Sequence, residues 1–171
     1  MRAVDRETSS VAEINFNVKW IWTEAHWSVL YGTVTGEVEL YYQRVHQLIA
    51  NSKFPGLESG MFMIPTERGW FSVKETTPMF VVRPKNTRVP NLAVYYRAQQ
   101  FGNVVTYSCI ETAAGEAFVG TASERSMRGK FKSRAEWEEF ITFHQLAGLV
   151  YNKVMAGIDE SFVAERVVWN I

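Results

Sequence analysis

The sequence concentrates its cationic side chains in the middle third of the chain. Residues 83–134 contain nine Lys and Arg against three Glu, a net charge of +6. Residues 1–82 carry −2 and residues 135–171 carry −4, so the whole chain is neutral. A cationic segment of this kind can neutralise phosphates and release their counterions, which is the main source of affinity for nucleic acids.

Aromatic residues are interleaved with these cations, and aromatic faces stack with unpaired bases at about 1–3 kcal/mol per base. We therefore predict a non-enzymatic nucleic-acid-binding protein that prefers single strands. A basic loop that is merely solvated, beside aromatics that face the core, is the alternative interpretation. The residues expected to form the binding surface are Arg83, Lys85, Arg88, Tyr95, Arg97, Phe101, Arg125, Arg128, Lys130 and Lys132.

A second feature is the apolar character of the helix predicted near the C-terminus. Leu146 and Leu149 fall within or beside its polar face, and Gly148 lets another backbone approach closely. A helix that is apolar on nearly every side is either deeply buried or shared with a partner. The rival prediction is a structural or protein-interaction subunit, such as a phage or viral accessory protein, that forms a homo-oligomer through Leu146 and Leu149.

Residues that could support catalysis are scattered, and no motif fixes a reaction. His26 could face Glu24 in an extended segment, and Cys109 lies in a predicted strand. His144 lies within an apolar helical stripe, which favours a hydrogen-bonded core histidine. Because catalytic groups converge from distant positions, a hydrolase or transferase that uses Glu24, His26 or Cys109 is a third hypothesis.

The motifs support neither a cofactor nor a metal. The three histidines have no metal-ligand spacing to one another or to cysteine, and no glycine-rich phosphate loop occurs. The single cysteine rules out an internal disulfide. The polar first ten residues lack the apolar stretch of a signal peptide, and no apolar run approaches the roughly 18–20 residues that span a bilayer. We expect a cytoplasmic protein, in the host cytoplasm if it is viral, with no membrane contact.

Hydrophobic periodicity predicts the elements that must position these residues. A helix is expected from Glu37 to Phe54-Pro55-Gly56, although a hairpin turning at Thr35-Gly36 competes with it. A capping box at Ser133–Glu136 predicts a second helix that reaches about Ala156. Alternation with a period of two predicts strands. These are residues 14–22, 27–33, 61–64, 70–74, 79–83, 92–98, 104–110, 117–122 and 163–170.

The 171 residues suit one domain that buries a core without disulfides. We expect a flexible arm at residues 1–10 and a single α+β domain at residues 11–171. Its sheet should be twisted and mostly antiparallel, with closure into a partial barrel as an option, and two amphipathic helices should pack on it. Residues 123–132 are expected to form a polar, basic loop.

Overall fold

The computed structural model describes residues 28–31, 37–68, 73–102, 104–118 and 124–158. Its six strands form one antiparallel sheet in the order β1-β5-β4-β3-β2, with β6 paired to the end of β5. The strands are β1 (Ser28–Tyr31), β2 (Leu57–Arg68), β3 (Val73–Pro84), β4 (Ala93–Phe101), β5 (Val104–Ala113) and β6 (Glu116–Phe118). The helices are α1 (Glu37–Asn51), α2 (Glu124–Arg128) and α3 (Arg134–Ile158).

The predicted α+β class with an antiparallel sheet is confirmed. Along the described strands the sheet is an open path from β1 to β2, so the optional barrel closure does not occur there. The predicted strands at 14–22 and 163–170 and the predicted arm lie outside the described residues. Within the described helices, none is long and apolar enough to cross a bilayer.

Helix α1 confirms the first predicted helix and excludes the competing hairpin. Tyr41, Val45 and Ile49 are buried at intervals of four residues, which places them on one face toward the sheet. Glu37 and Glu39 occupy the first turn, where the helix dipole favours negative charge.

Helix α3 begins at the predicted capping box. The Ser133 hydroxyl accepts a hydrogen bond from the Glu136 amide at 3.2 Å, and the Glu136 carboxylate accepts one from the Lys132 amide at 2.8 Å. The polar loop expected before it contains helix α2 instead. Met127 explains the difference, because its side chain is buried and fixes this turn against the core.

Strand β3 merges two predicted strands, since the chain continues extended through Pro78. Proline lacks an amide hydrogen and was therefore expected to mark a boundary. The Tyr42 hydroxyl compensates at this point: it donates to the Pro78 carbonyl at 2.9 Å and accepts from the Ala98 amide at 3.0 Å. Strands β3 and β4 pair only over residues 80–82, so this hydroxyl bridges them where their ladder ends.

Candidate nucleic-acid interface

Two basic segments meet at the first turns of α3. The Arg88 amide donates to the Glu139 carboxylate at 3.3 Å, and the Lys132 amide donates to the Glu136 carboxylate at 2.8 Å. Glu136 and Glu139 are three residues apart and are therefore neighbours on one helix face. The β3–β4 loop and the segment before α3 consequently lie side by side. We call residues 85–91 and 124–134 together the basic end.

Backbone contacts fix the loop half of the basic end. The Lys85 amide donates to the Gly56 carbonyl at 2.7 Å, and the Ala114 amide donates to the Pro90 carbonyl at 2.8 Å. The Thr112 hydroxyl donates to the Asn91 carbonyl at 2.6 Å. The loop is thereby attached to its neighbours at both ends, which reduces the entropy that a ligand would have to remove.

Apolar contacts fix the other half and leave its cations outside. Phe131 packs against Trp137 and Phe140, with ring centroids 5.3 and 4.9 Å apart. Six of the predicted binding residues are exposed in the two halves together. They are Lys85, Arg88, Arg125, Arg128, Lys130 and Lys132.

The three carboxylates at the start of α3 form hydrogen bonds or ion pairs with neighbouring groups. Glu136 and Glu139 accept the backbone hydrogen bonds described above, and Glu138 forms an ion pair with Arg134 at 2.7 Å. These contacts orient the two segments. The three carboxylates keep their charge, and together with Glu124 they are outnumbered by the seven Lys and Arg side chains of the basic end.

The remaining predicted residues do not join this surface. Tyr95 and Arg97 are only 2% and 4% exposed and lie on the sheet face away from the helices. Both side chains are therefore too deeply buried to contact a ligand at the surface. Arg83 is half-buried and pairs with Glu58 at 3.0 Å. The side chain of Phe101 lies outside the described part of the chain.

A second polar constellation lies between β5 and α3. The His144 Nδ1 atom is 2.5 Å from a Glu111 carboxylate oxygen, and the two side chains are 14% and 8% exposed. Phe140 stacks on the imidazole at 5.7 Å. The other Glu111 oxygen is buried and has no hydrogen-bond partner among the described residues. His144 thus has the hydrogen-bonded core position expected for it, but its partner lies 33 positions away and has no local sequence signal.

Cys109 is poorly suited to act as a nucleophile. Burial raises the pKa of its thiol, and the nearby Glu111 raises it further. The thiol therefore stays protonated at neutral pH, whereas the thiolate is the reactive form.

Glu24 and His26 lie outside the described residues. In the part of the chain that the structure describes, no three His, Cys, Asp or Glu side chains are grouped as metal ligands would be.

The two leucines predicted to form an interface differ in their surroundings. Leu146 is half-buried and packs against the core, whereas Leu149 is 68% exposed. Among the described residues, none would lie within 4 Å of a Cβ atom added at Gly148, so they leave the helix surface beside Leu149 open.

No protein family, no curated protein sequence and no solved structure matches this chain.

Proposed function

We propose that this protein is a non-enzymatic nucleic-acid-binding protein that contacts the phosphate backbone through the basic end. The observation that supports the proposal is the meeting of the two basic segments at Glu136 and Glu139, which gathers exposed Lys and Arg side chains from both. Cations clustered on one surface bind a polyanion more strongly than the same charges dispersed over the molecule. The neutral chain as a whole gives no such attraction.

Reversing three charges in the second half of the basic end should weaken binding. In the variant Arg128→Glu/Lys130→Glu/Lys132→Glu we expect an affinity loss of at least about tenfold at low salt. Each lost phosphate contact also reduces the slope of log K against log salt by about 1, so the slope should flatten by roughly 3. Fluorescence anisotropy with a labelled oligonucleotide, repeated from low to high salt, measures both quantities.

A matched pair of single variants controls for net charge. Lys132→Glu and Lys153→Glu change the total charge equally, and both positions are exposed. Lys153 lies 19 residues beyond Arg134, about 28 Å along α3 at 1.5 Å per residue. Only Lys132→Glu should weaken binding. Equal losses in the two variants, or immeasurable affinity of the wild type at low salt, would contradict the proposal.

The second candidate function is self-association through α3, and the exposure of Leu149 favours it. An exposed leucine beside an open glycine can pack against a second copy of the helix. In that case Leu149→Glu should convert an oligomer into a monomer, because it places a carboxylate in an apolar contact. Sedimentation velocity measures the change, with Ala50→Glu on the exposed side of α1 as the control. A monomeric wild type would eliminate this candidate.

A further inference from the structure

We infer that the basic end is built for the sugar-phosphate backbone of a double helix and binds it irrespective of base sequence. The inference rests on the proposed function and specifies its ligand. It changes the strand preference expected from the sequence, because that preference depended on aromatic rings at the surface.

The aromatic side chains nearest to the exposed cations in the sequence pack in the core. Phe131 lies between Lys130 and Lys132 in the sequence, yet its ring packs against Trp137 and Phe140. These three rings form one cluster, since Trp137 and Phe140 are themselves 5.6 Å apart. A single strand gains much of its affinity from bases that stack on exposed rings. Rings engaged in this cluster cannot provide that contact without unpacking the start of α3.

The ring of Tyr95 is also buried in the core. It packs in the apolar cluster with Met79, Val81 and Ala93, on the opposite face of the sheet from the helices. Its neighbour Tyr96 faces α3, where the hydroxyl donates to the Ala147 carbonyl at 3.0 Å. Consecutive residues of β4 thus bury their rings on opposite faces of the sheet. Neither ring is available to a base at the basic end.

The exposed cations are Lys and Arg side chains of the type that binds phosphates. Arg125 and Arg128 are three residues apart on α2 and therefore neighbours on the helix. Lys132 and Arg88 extend from the two adjoining segments. Guanidinium and ammonium groups that contact phosphates position a protein on nucleic acid but carry no sequence information. This surface should therefore not discriminate between base sequences.

A surface that acts only through phosphates favours the duplex. Each phosphate contact contributes about 0.9 to the salt slope on duplex DNA and about 0.7 on single strands, because the duplex condenses more counterions. If duplex and single strand bind equally at 1 M salt, this difference for about five contacts amounts to roughly twentyfold in affinity at 50 mM salt. The duplex preference should therefore be largest at low salt and fade as salt is added.

The test compares one 30-nucleotide DNA strand, the duplex formed from it, and a second duplex of unrelated sequence. We expect the wild type to bind both duplexes equally and about twentyfold more tightly than the single strand at 50 mM salt. The triple variant Arg128→Glu/Lys130→Glu/Lys132→Glu should lose affinity for all three ligands. Circular dichroism of the variant provides the control for folding.

The outcomes separate this inference from the proposed function. Tighter binding of the single strand that the triple variant weakens would overturn the duplex inference and leave nucleic-acid binding intact. A large difference between the two duplexes would overturn the backbone-only mode. Absence of binding to all three ligands by the wild type at 50 mM salt would overturn the proposed function and, with it, the inference.

Discussion

Replacing His144 with leucine is expected to lower the free energy of unfolding by about 3–5 kcal/mol, because it leaves a buried carboxylate without its partner. Glu111 is only 8% exposed, and its second oxygen has no hydrogen-bond partner among the described residues. The variant therefore retains a carboxyl group removed from water and loses the hydrogen bond that offsets this cost. Urea unfolding followed by circular dichroism at pH 7 measures the change.

A double variant separates the polar contact from simple loss of packing. In Glu111→Leu/His144→Leu both polar groups are replaced, and buried pairs replaced in this way are often neutral or stabilising. We expect the double variant to recover most of the stability that His144→Leu loses, so that the two substitutions are strongly non-additive. A double variant that is less stable than His144→Leu alone would show that the contact matters through its shape and not through its polar groups.

The same pair links stability to the candidate interface. Glu111 precedes Thr112, whose hydroxyl holds the Asn91 carbonyl at the end of the basic loop. His144 lies one turn after Phe140, which packs against Phe131 in the segment before α3. Both halves of the basic end are therefore attached close to this contact. Variants that undock α3 should weaken binding even though they remove no cation.

The parts of the fold that were predictable from sequence are those with local causes. The α1 stripe of Tyr41, Val45 and Ile49 and the capping box at Ser133 act over three or four residues, so a short window contains the whole signal. The strands at 92–98 and 104–110 were also predicted, and β4 and β5 form a hairpin whose turn contains Gly102 at a positive φ of 59°. Each of these elements carries its determinants within its own sequence.

The parts that were missed depend on distant residues. Strand β3 continues through Pro78 because it pairs there with Met63 of β2, and the Pro78 carbonyl accepts a hydrogen bond from the Tyr42 hydroxyl, 36 positions earlier in the chain. Helix α2 depends on a buried position for Met127, which exists only because β-strands and α3 surround it. The Glu111–His144 contact joins a strand to a helix. No periodicity within a single segment encodes such contacts.

For the candidate site, the sequence indicated which residues carry charge but not which of them reach the surface. Strand β4 buries both of its faces, with Tyr96 and Ala98 toward the helices and Tyr95 and Arg97 on the other side. In a strand that is half solvated, alternation would mark Tyr95 and Arg97 as outward-facing. Burial of both faces removes that distinction. The loop residues Lys85 and Arg88 were the safer part of the prediction, because loops run over protein surfaces.

The stability of the folded protein should fall steeply at alkaline pH. Burial raises the pKa of the hydroxyls of Tyr41 and Tyr96 above the usual 10.0, and raises that of the Cys109 thiol above the usual 9.0. Above these usual values the unfolded chain releases protons that the folded protein retains. The stability is therefore fully present below about pH 9 and is lost as the pH rises, at about 1.4 kcal/mol per pH unit for each group. Above pH 10 the three groups together give about 4 kcal/mol per pH unit. Urea unfolding at pH 8, 9, 10 and 11 measures this dependence.

Two variants assign the dependence to particular groups. Cys109→Ala removes the thiol and should move the onset of the decline from about pH 9 to about pH 10. Tyr41→Phe removes one hydroxyl and should lower the slope above pH 10 by about 1.4 kcal/mol per pH unit. It should also reduce stability at pH 8, because the Ser108 carbonyl loses the hydrogen bond that Tyr41 donates. The contradicting outcome is a wild-type free energy of unfolding that stays constant from pH 8 to pH 11. It would mean that these groups ionise in the folded protein. Their surroundings would then contain more water than the packing of α1 and α3 on the sheet implies.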